Sequence, residues 1–163
     1  MKTLRIATIS VALTLSCAIT PVLWAQDSSG SESDHVSVLP SELKWAPALS
    51  VGPGAEIAVI EGDLKAAAPF TFRLKLPPNF KVGVHTHPVK ERVTVISGTF
   101  YLGIGDTFDR AKAKAFPAGG VAMLPPGMPM FAYTTQEETI IQVHGTGPWG
   151  IKFLNPEDNP AKK

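Results

Sequence analysis

The sequence contains a single cysteine, Cys17, which lies inside an apolar stretch near the start of the chain. The residues beyond that stretch therefore offer neither a disulfide nor a thiol nucleophile. Charge is nearly balanced, with 15 lysines and arginines against 14 aspartates and glutamates. This balance gives no electrostatic basis for binding nucleic acid or an anionic membrane surface. Histidine is also scarce, with four in 163 residues, so the positions of the histidines are informative.

The first 25 residues are predicted to be an export signal. Lys2 and Arg5 precede an uncharged stretch from Ile6 to Ala25, and polar residues follow at once. A basic start, an apolar run and a polar exit are typical of a secretory signal, here predicted to be cleaved after Ala25. The alternative is an uncut anchor, because about twenty apolar residues can span a bilayer. Either way, the remaining chain is predicted to be periplasmic or secreted.

The rest of the chain is predicted to form one domain with polar ends. Residues 26–42 are predicted to be a flexible tether and leading segment, because Gln26 to Asp34 has no apolar residue to bury. Residues 43–155 form the predicted domain and residues 156–163 a frayed tail. Removing 25 of 163 residues leaves 138, which suits one ordinary domain.

Alternating polar and apolar residues, interrupted by glycine or proline roughly every 8–12 positions, predict an all-β fold. In the stretch 70–76, phenylalanines and leucines alternate with threonine, arginine and lysine. Antiparallel sheets commonly have one buried face and one solvent-exposed face, as this pattern gives. Many short strands indicate a sandwich or barrel. The predicted strands are 56–61, 70–76, 92–97, 99–104, 120–124, 130–134 and 139–144.

One short helix is predicted over 106–116, with Asp106 or Thr107 as its cap and Pro117 as its terminator. The turns are chemically specific too. Asn79 is one of the few residue types other than glycine that tolerate positive φ. Pro126 and Gly127 form the preferred central pair of a type II turn.

Two histidines and a glutamate form the most distinctive cluster. His85 and His87 alternate on a strand and so face the same way. Residues 88–90 can form a three-residue hairpin loop, which would bring Glu91 beside His87 on the returning strand. Imidazole and carboxylate groups held on strands are ligands for zinc, iron or manganese, with copper or nickel also compatible. The alternative is that these are ordinary strand residues and Glu91 forms a surface ion pair.

The stretch "HTHPVKERVTVISG" resembles the first motif of the cupin superfamily. That motif reads glycine-x5-His-x-His-x3-or-4-Glu-x6-glycine, and His85, His87, Glu91 and Gly98 fit it. Asn79 replaces the leading glycine. The resemblance implies a double-stranded β-helix, that is, a jelly-roll barrel, with the metal ligands inside it.

The stretch "GGVAMLPPGMPMFAYT" is similar to the second cupin motif, glycine-x5-Pro-x-glycine-x2-His-x3-Asn. Gly119, Pro125 and Gly127 match, whereas Met130 and Thr134 take the positions of the histidine and the asparagine. The strand pattern extends the likeness from about residue 43 to 154. The lead-in at 45–63 is also similar to small cupins related to the zinc-binding domain of certain anti-sigma factors.

Met130 leaves open what replaces the usual third histidine. A thioether suits copper(I), or it simply fills apolar space. His85, His87 and Glu91 can also stand alone, as in many non-haem iron oxygenases. A third alternative is His144, with Gln142 beside it, provided that their face of the strand points into the barrel. Tyr133 is a further candidate for lining the cavity.

Three functions follow from the resemblance. The first is a metal-dependent dioxygenase or isomerase acting on a small molecule, with no catalytic residue assigned beyond the ligands. The second is a non-enzymatic cupin that binds or senses a metal or ligand, and the third is a metal-free, degenerate cupin. No nucleic acid and no stable membrane contact after signal cleavage are expected. A homodimer is expected, because Val82 and Val84 are predicted to form an apolar face opposite His85 and His87.

Overall fold

The computed structural model describes residues 35–162, which fold into two antiparallel β-sheets. The predicted signal, residues 1–25, and residues 26–34 of the predicted tether lie outside the described residues. Within 35–162, no helix has the length and apolar character needed to cross a membrane.

All eleven strands of the described chain lie between residues 46 and 153. They are β1 (Ala46–Pro47), β2 (Glu56–Glu61), β3 (Pro69–Leu76), β4 (Lys81–Thr86), β5 (Glu91–Ser97), β6 (Thr99–Ile104), β7 (Lys114–Pro117), β8 (Val121–Leu124), β9 (Met130–Tyr133), β10 (Thr139–Thr146) and β11 (Lys152–Phe153). One sheet has the order β1-β2-β3-β10-β5-β8 and the other the order β11-β4-β9-β6-β7. The predicted all-β jelly roll is confirmed.

The core lies between the inner faces of the two sheets. Strand β3 shows how the alternating pattern builds it, because its residues from Phe70 to Leu76 are alternately buried and partly exposed. Phe72 is 0% exposed, whereas its neighbours Thr71 and Arg73 are only partly buried. Burying a side chain of this size contributes roughly 1.5–3 kcal/mol. Each predicted strand is found, with ends that differ by at most two residues.

The predicted helix over 106–116 is wrong. Only a three-residue 3-10 turn forms there, Arg110–Lys112, where the side chain of Asp109 accepts a hydrogen bond from the backbone N–H of Ala111 at 3.0 Å. The next residues become β7, which pairs along the edge of β6. This pairing satisfies backbone groups over the whole strand and outweighs the helix propensity of the alanines and lysines.

The predicted hairpin between β4 and β5 is also wrong, because the two strands belong to different sheets. Strand β4 pairs with β9 and β11, and β5 pairs with β10 and β8. Residues 87–90 therefore cross from one sheet to the other. His85 and Glu91 approach each other across the interior, not along a shared ladder.

A β-bulge in β4 overturns the prediction that Val82 faces away from His85. Val82 pairs with Ala132 and His85 with Met130, so three steps along β4 match two along β9. The extra residue reverses the alternation, and Val82 and His85 both line the interior cavity. The apolar outer face predicted from Val82 and Val84 is therefore absent from the described strand.

The outer side of β4 is covered by the C-terminal segment of the same chain. Residues Pro156–Asp158 form a 3-10 turn, and Asp158 lies so close to Gly83 that a Cβ there would be 2.4 Å from its carboxyl carbon. Lys81 on β4 forms an ion pair with Asp158 at 3.2 Å. Val84 is 5% exposed in the single chain. The homodimer stays a prediction, now without the argument from this face.

The turn residues adopt the predicted conformations. Asn79 has φ 57° and Gly127 has φ 72°. Gly98 has φ 73°, and a Cβ at this position would lie 2.5 Å from the carbonyl oxygen of Glu138. A side chain is therefore excluded at Gly98 both by the backbone conformation and by space.

Candidate metal centre

A cavity of about 50 Å³ lies between the two sheets. At roughly 15 Å³ per water molecule, it has room for about three. Three ionisable side chains reach it, namely His85, His87 and Glu91, together with the ring of Trp149. The other lining residues are aliphatic side chains, Phe100 and Met130. The cavity is thus an apolar chamber with its titratable groups concentrated in one cluster.

His85 is held in the tautomer that a metal needs. Its Nδ1 lies 2.7 Å from the backbone carbonyl oxygen of Gly83, so Nδ1–H donates the hydrogen bond. The other ring nitrogen, Nε2, then carries a lone pair. Carbonyl oxygens hold metal-binding histidines in this way. The side chain is 5% exposed, and burial lowers its pKa to about 4, against a smaller opposing effect of the Gly83 bond.

His87 has the same arrangement with a different partner. Its Nδ1 lies 2.7 Å from the carbonyl oxygen of Gly150, so Nδ1–H donates there and Nε2 holds a lone pair. Burial, followed by the charge of His85, lowers the pKa of His87 to about 4. The two imidazole rings lie edge to face, with centroids 4.8 Å apart. Both are therefore neutral at ordinary pH.

Glu91 starts β5 and is 4% exposed. Its Oε1 accepts a hydrogen bond from the indole N–H of Trp149. Its Oε2 lies 3.3 Å from Nε2 of His87. Burial raises the pKa of Glu91 to about 7, although the bond from Trp149 acts in the opposite direction.

The pair formed by His87 and Glu91 requires a cation between its facing atoms. With Nδ1–H directed at Gly150, Nε2 of His87 is an acceptor, and an ionised Oε2 is an acceptor as well. Two buried acceptors 3.3 Å apart repel each other unless a proton or a metal ion lies between them. Burial raises the pKa of Glu91 to about 7 and so favours the protonated carboxyl, whose proton can lie between these two atoms.

Solved structures with the same architecture identify the fold. The polyketide cyclase RemF from Streptomyces resistomycificus is 14% identical with a TM-score of 0.65, covering 78% of this chain and 91% of that chain. An RmlC-like cupin from Ralstonia eutropha is 16% identical with a TM-score of 0.58, covering 77% and 76%. An RmlC-like cupin from Shewanella frigidimarina is 16% identical with a TM-score of 0.55, covering 71% and 93%. The chain has the cupin fold. No protein-family model and no curated protein sequence matches it.

In this cupin fold, Met130 and Thr134 occupy the two altered motif positions with different consequences. Met130 is 2% exposed and lines the cavity beside His85, its partner on β4. Met130 therefore lies where the sequence placed it, and its role there stays a prediction. Thr134 is 1% exposed; its hydroxyl donates to the carbonyl oxygen of Pro77 at 2.6 Å and accepts from the N–H of Phe80 at 2.9 Å. It therefore fastens the turn before β4.

The structure does not bring His144 or Gln142 to the cupin cavity. Along β10, Ile141 and Val143 are buried and line the cavity, so the alternate residues face outward. Gln142 accepts a hydrogen bond from Arg73 at 3.2 Å on that outer face. The alternative in which the face of His144 and Gln142 points into the barrel is therefore wrong.

Tyr133 also lies on an outer face. It stacks on Tyr101 with centroids 4.7 Å apart, and Arg110 covers its ring at 4.5 Å. The neighbouring residue Ala132 lines the cavity instead. The prediction that Tyr133 lines the cavity is wrong for the same reason of alternation along β9.

Trp149 is the site residue whose role the sequence did not reveal. It lies 58 residues from Glu91, the carboxylate that it contacts. No local pattern in the surrounding stretch "HGTGPWGI" connects this tryptophan with the histidines. The one local indication is the indole N–H, a hydrogen-bond donor that needs a partner when buried, in a loop between Pro148 and Gly150.

The donor chemistry of His85, His87 and Glu91 suits a metal ion, although the three side chains do not converge on one point. Among residues 35–162, no three His, Cys, Asp or Glu side chains surround a common ion position. His87 and Glu91 are adjacent, whereas His85 is turned edge-on to His87. Both imidazoles nevertheless present lone pairs, and all three groups border the same cavity. Holding an ion would draw these side chains a short way together.

Proposed function

We propose that the protein is an exported cupin that binds one divalent metal ion, zinc, iron or manganese, through His85, His87 and Glu91. The observation that supports this best is the pair of buried acceptors, Nε2 of His87 and Oε2 of Glu91, 3.3 Å apart. A divalent ion would replace the proton between them and compensate the burial of the carboxylate charge. The cavity beside them offers space for the ion's remaining ligands.

The ligand set favours an open, catalytic site. Two histidines and one carboxylate leave positions free on the ion, as in non-haem iron enzymes and catalytic zinc sites. His144 lies on the outer face of β10, so this histidine is no fourth ligand. Met130 offers a thioether, which is a poor ligand for zinc, iron or manganese. The proposed activity is therefore a dioxygenase or isomerase reaction on a small molecule.

The chain's own residues define what such an enzyme would accept. The cavity of about 50 Å³ admits only a few atoms, and its walls are apolar. An open groove shares His87 and Ile151 with the cavity and is also lined by Pro88, Pro126 and Lys152. A substrate would therefore place its reacting end at the cavity and its bulk in the groove. The metal, when bound, would polarise that reacting end as a Lewis acid.

The carbonyl oxygens of Gly83 and Gly150 serve this function by fixing the imidazoles. Each accepts a hydrogen bond at 2.7 Å from Nδ1 of one histidine, which directs Nε2 toward the cavity. The apolar walls keep water scarce around the ion. Exclusion of water strengthens electrostatic interactions within the site.

Metal analysis tests the proposal. The protein, expressed with its own N-terminal segment and purified from the exported fraction, should carry close to one metal ion per chain. The His87→Ala variant should lose the metal ion, because the two remaining ligands, His85 and Glu91, are too few to hold a divalent ion. His144→Ala is the matched control, since the same substitution on the outer face should leave the metal content unchanged. Equal metal content in wild type and His87→Ala would refute the proposed site.

Export is tested on the same preparation. The N-terminal sequence "MKTLRIATIS…" supports a secretory signal ending at Ala25. Mass spectrometry of the exported protein should find Gln26 as the first residue. An intact Met1 in a membrane-bound form would instead support the uncut anchor.

A non-enzymatic metal-binding cupin is the second candidate, and the small cavity favours it. A volume of about 50 Å³ leaves little room for a substrate once an ion is present. In that case the ion would be closed to exchange with small ligands. The absorption spectrum of the Co²⁺-substituted protein distinguishes the two, because candidate small ligands should perturb the spectrum of an enzyme and leave that of a closed site unchanged.

A further inference from the structure

Trp149 contacts two of the three proposed ligands at once. Its indole N–H donates to Oε1 of Glu91, and its ring stacks on the imidazole of His87, with centroids 5.7 Å apart and planes inclined by 26°. On another side it packs edge to face on Phe72, with centroids 5.0 Å apart. Phe72 is 0% exposed, so the indole is wedged between the core and the site.

The backbone around Trp149 fixes this position. The N–H of Trp149 donates to the carbonyl oxygen of Leu64 at 2.7 Å. The next residue, Gly150, accepts the hydrogen bond from Nδ1 of His87 at 2.7 Å. Two consecutive residues of one loop therefore hold Glu91 and His87, and a displacement of the loop would move both.

We infer that Trp149 is a positioning residue that occupies Oε1 of Glu91 and leaves only Oε2 available to a metal ion. This inference rests on the proposed metal site and deepens it. A carboxylate whose second oxygen is occupied by a donor binds an ion through one oxygen, so one more position stays open for a substrate or water. Without the N–H, Glu91 is free to turn and present both oxygens.

The test replaces Trp149 while the other tryptophan of the predicted domain serves as the control. Trp45 is half-buried and packs under Lys75, whose Nζ lies 4.2 Å from the ring centroid. Trp149→Phe keeps an aromatic ring and removes the donor, and Trp45→Phe makes the same change at a residue that does not line the cavity. Co²⁺ is the probe, because its visible absorption reports the coordination number.

Trp149→Phe should bind Co²⁺ about tenfold more weakly than wild type, the lower end of the range for partners that orient metal ligands. Its visible absorption should also weaken, because a carboxylate bound through both oxygens raises the coordination number. Trp45→Phe should match wild type in both respects. If Trp149→Phe also matches wild type in affinity and spectrum, the inference is overturned.

A second variant covers the case in which Trp149→Phe fails to fold. Replacing Trp149 with benzothienylalanine exchanges the N–H for sulfur and leaves the shape of the ring nearly unchanged. The stacking on His87 would persist, so a changed Co²⁺ spectrum would report the lost hydrogen bond alone. An unchanged spectrum would overturn the inference.

A readout without metal separates this inference from the proposed function. In the metal-free protein, the unfolding free energies of Trp149→Phe, Glu91→Leu and the double variant form a thermodynamic cycle. Non-additive losses are expected, because each single substitution removes one end of the same hydrogen bond. Additive losses would overturn the inference. Failure of the wild type to bind Co²⁺ would instead overturn the proposed metal site, while a coupled cycle would still show that Trp149 holds Glu91.

Discussion

Nε2 of His87 faces Oε2 of Glu91 across 3.3 Å at the cavity, and both residues are at most 5% exposed. A second hydrogen bond fixes the orientation of each side chain. The carbonyl oxygen of Gly150 accepts from Nδ1–H of His87, and the indole N–H of Trp149 donates to Oε1 of Glu91. The facing pair therefore favours a proton between its two atoms, which the proposed metal ion would replace, and its behaviour depends on pH.

The first prediction is that the metal-free protein becomes more stable as pH rises from about 4.5 to 6.5. Burial lowers the pKa of His85 and His87 from 6.5 to about 4, so over this range the unfolded chain binds two protons that the folded chain does not. Burial raises the pKa of Glu91 from 4.5 to about 7, so the folded chain retains one proton there. The net difference, two minus one, predicts a slope from these groups of about 1.4 kcal/mol per pH unit.

Glu91→Gln should make that slope steeper, because it removes the one group that acts in the opposite direction. The expected slope is about 2.8 kcal/mol per pH unit, twice the wild-type contribution. Glu137→Gln, in an exposed loop, is the matched control and should keep the wild-type slope. Urea unfolding of each variant and of wild type at pH 4.5, 5.5 and 6.5 measures the slope of stability against pH. Parallel curves for wild type and Glu91→Gln would contradict the assignment of the raised pKa to Glu91.

The second prediction concerns the pH dependence of metal affinity. Because the ion replaces the proton on Glu91, Zn²⁺ or Co²⁺ affinity should rise about tenfold per pH unit below pH 7 and level off above it. The histidines, with pKa values near 4, contribute no slope above pH 5. Titration by calorimetry at several pH values, corrected for buffer protonation, checks this. An affinity that is flat from pH 5.5 to 7 would show that Glu91 is not exchanging a proton for the metal.

The third prediction concerns the contact behind His85. A Cβ on Gly83 would lie 2.4 Å from the carboxyl carbon of Asp158, so Gly83→Ala should cost about 1–3 kcal/mol of stability. In an Asp158→Gly background the same substitution should cost much less, because the clash is removed. Chemical denaturation of the four proteins measures the difference. Equal costs in both backgrounds would show that the C-terminal turn does not pack on β4 in solution.

Much of this fold follows from the alternation of residue types. Strand β3 is recognisable because apolar and polar residues alternate without a break over 70–76, and burial on one face needs nothing else. Strand β10 shows the limit of that reasoning. Both of its faces carry apolar residues, so the sequence pattern does not determine which face is buried. The orientation of His144 depends instead on the pairing of β10 with β3 and β5.

The site was predictable where it depends on spacing and unpredictable where it depends on distant contacts. His85, His87 and Glu91 are close in sequence, and the structure places all three at one cavity. The bulge that turns Val82 inward arises from the register between β4 and β9. The role of Trp149 depends on a contact across 58 residues. Long-range register and packing leave no local signature, which also explains why β7 replaces the predicted helix.

The last prediction concerns Thr134, which takes the place of the asparagine in the second cupin motif. Its hydroxyl links the carbonyl of Pro77 to the N–H of Phe80 and is almost fully buried. Thr134→Val keeps the shape of the side chain and removes both hydrogen bonds. The N–H of Phe80 and the carbonyl oxygen of Pro77 then lose the hydroxyl as their partner. We expect a loss of about 2–6 kcal/mol, since each of the two unsatisfied groups costs roughly 1–3 kcal/mol.

Thr134→Ser is the matched control for this prediction, because it keeps the hydroxyl and loses only a methyl group. It should lose about 1 kcal/mol, the contribution of one buried methyl group. The turn held by Thr134 contains Asn79, with φ 57°, and leads directly into β4. Thr134→Val should therefore also weaken Co²⁺ binding, through the position of His85, more than Thr134→Ser does. If both variants lose the same stability, the hydroxyl contributes nothing and the turn is held by packing alone.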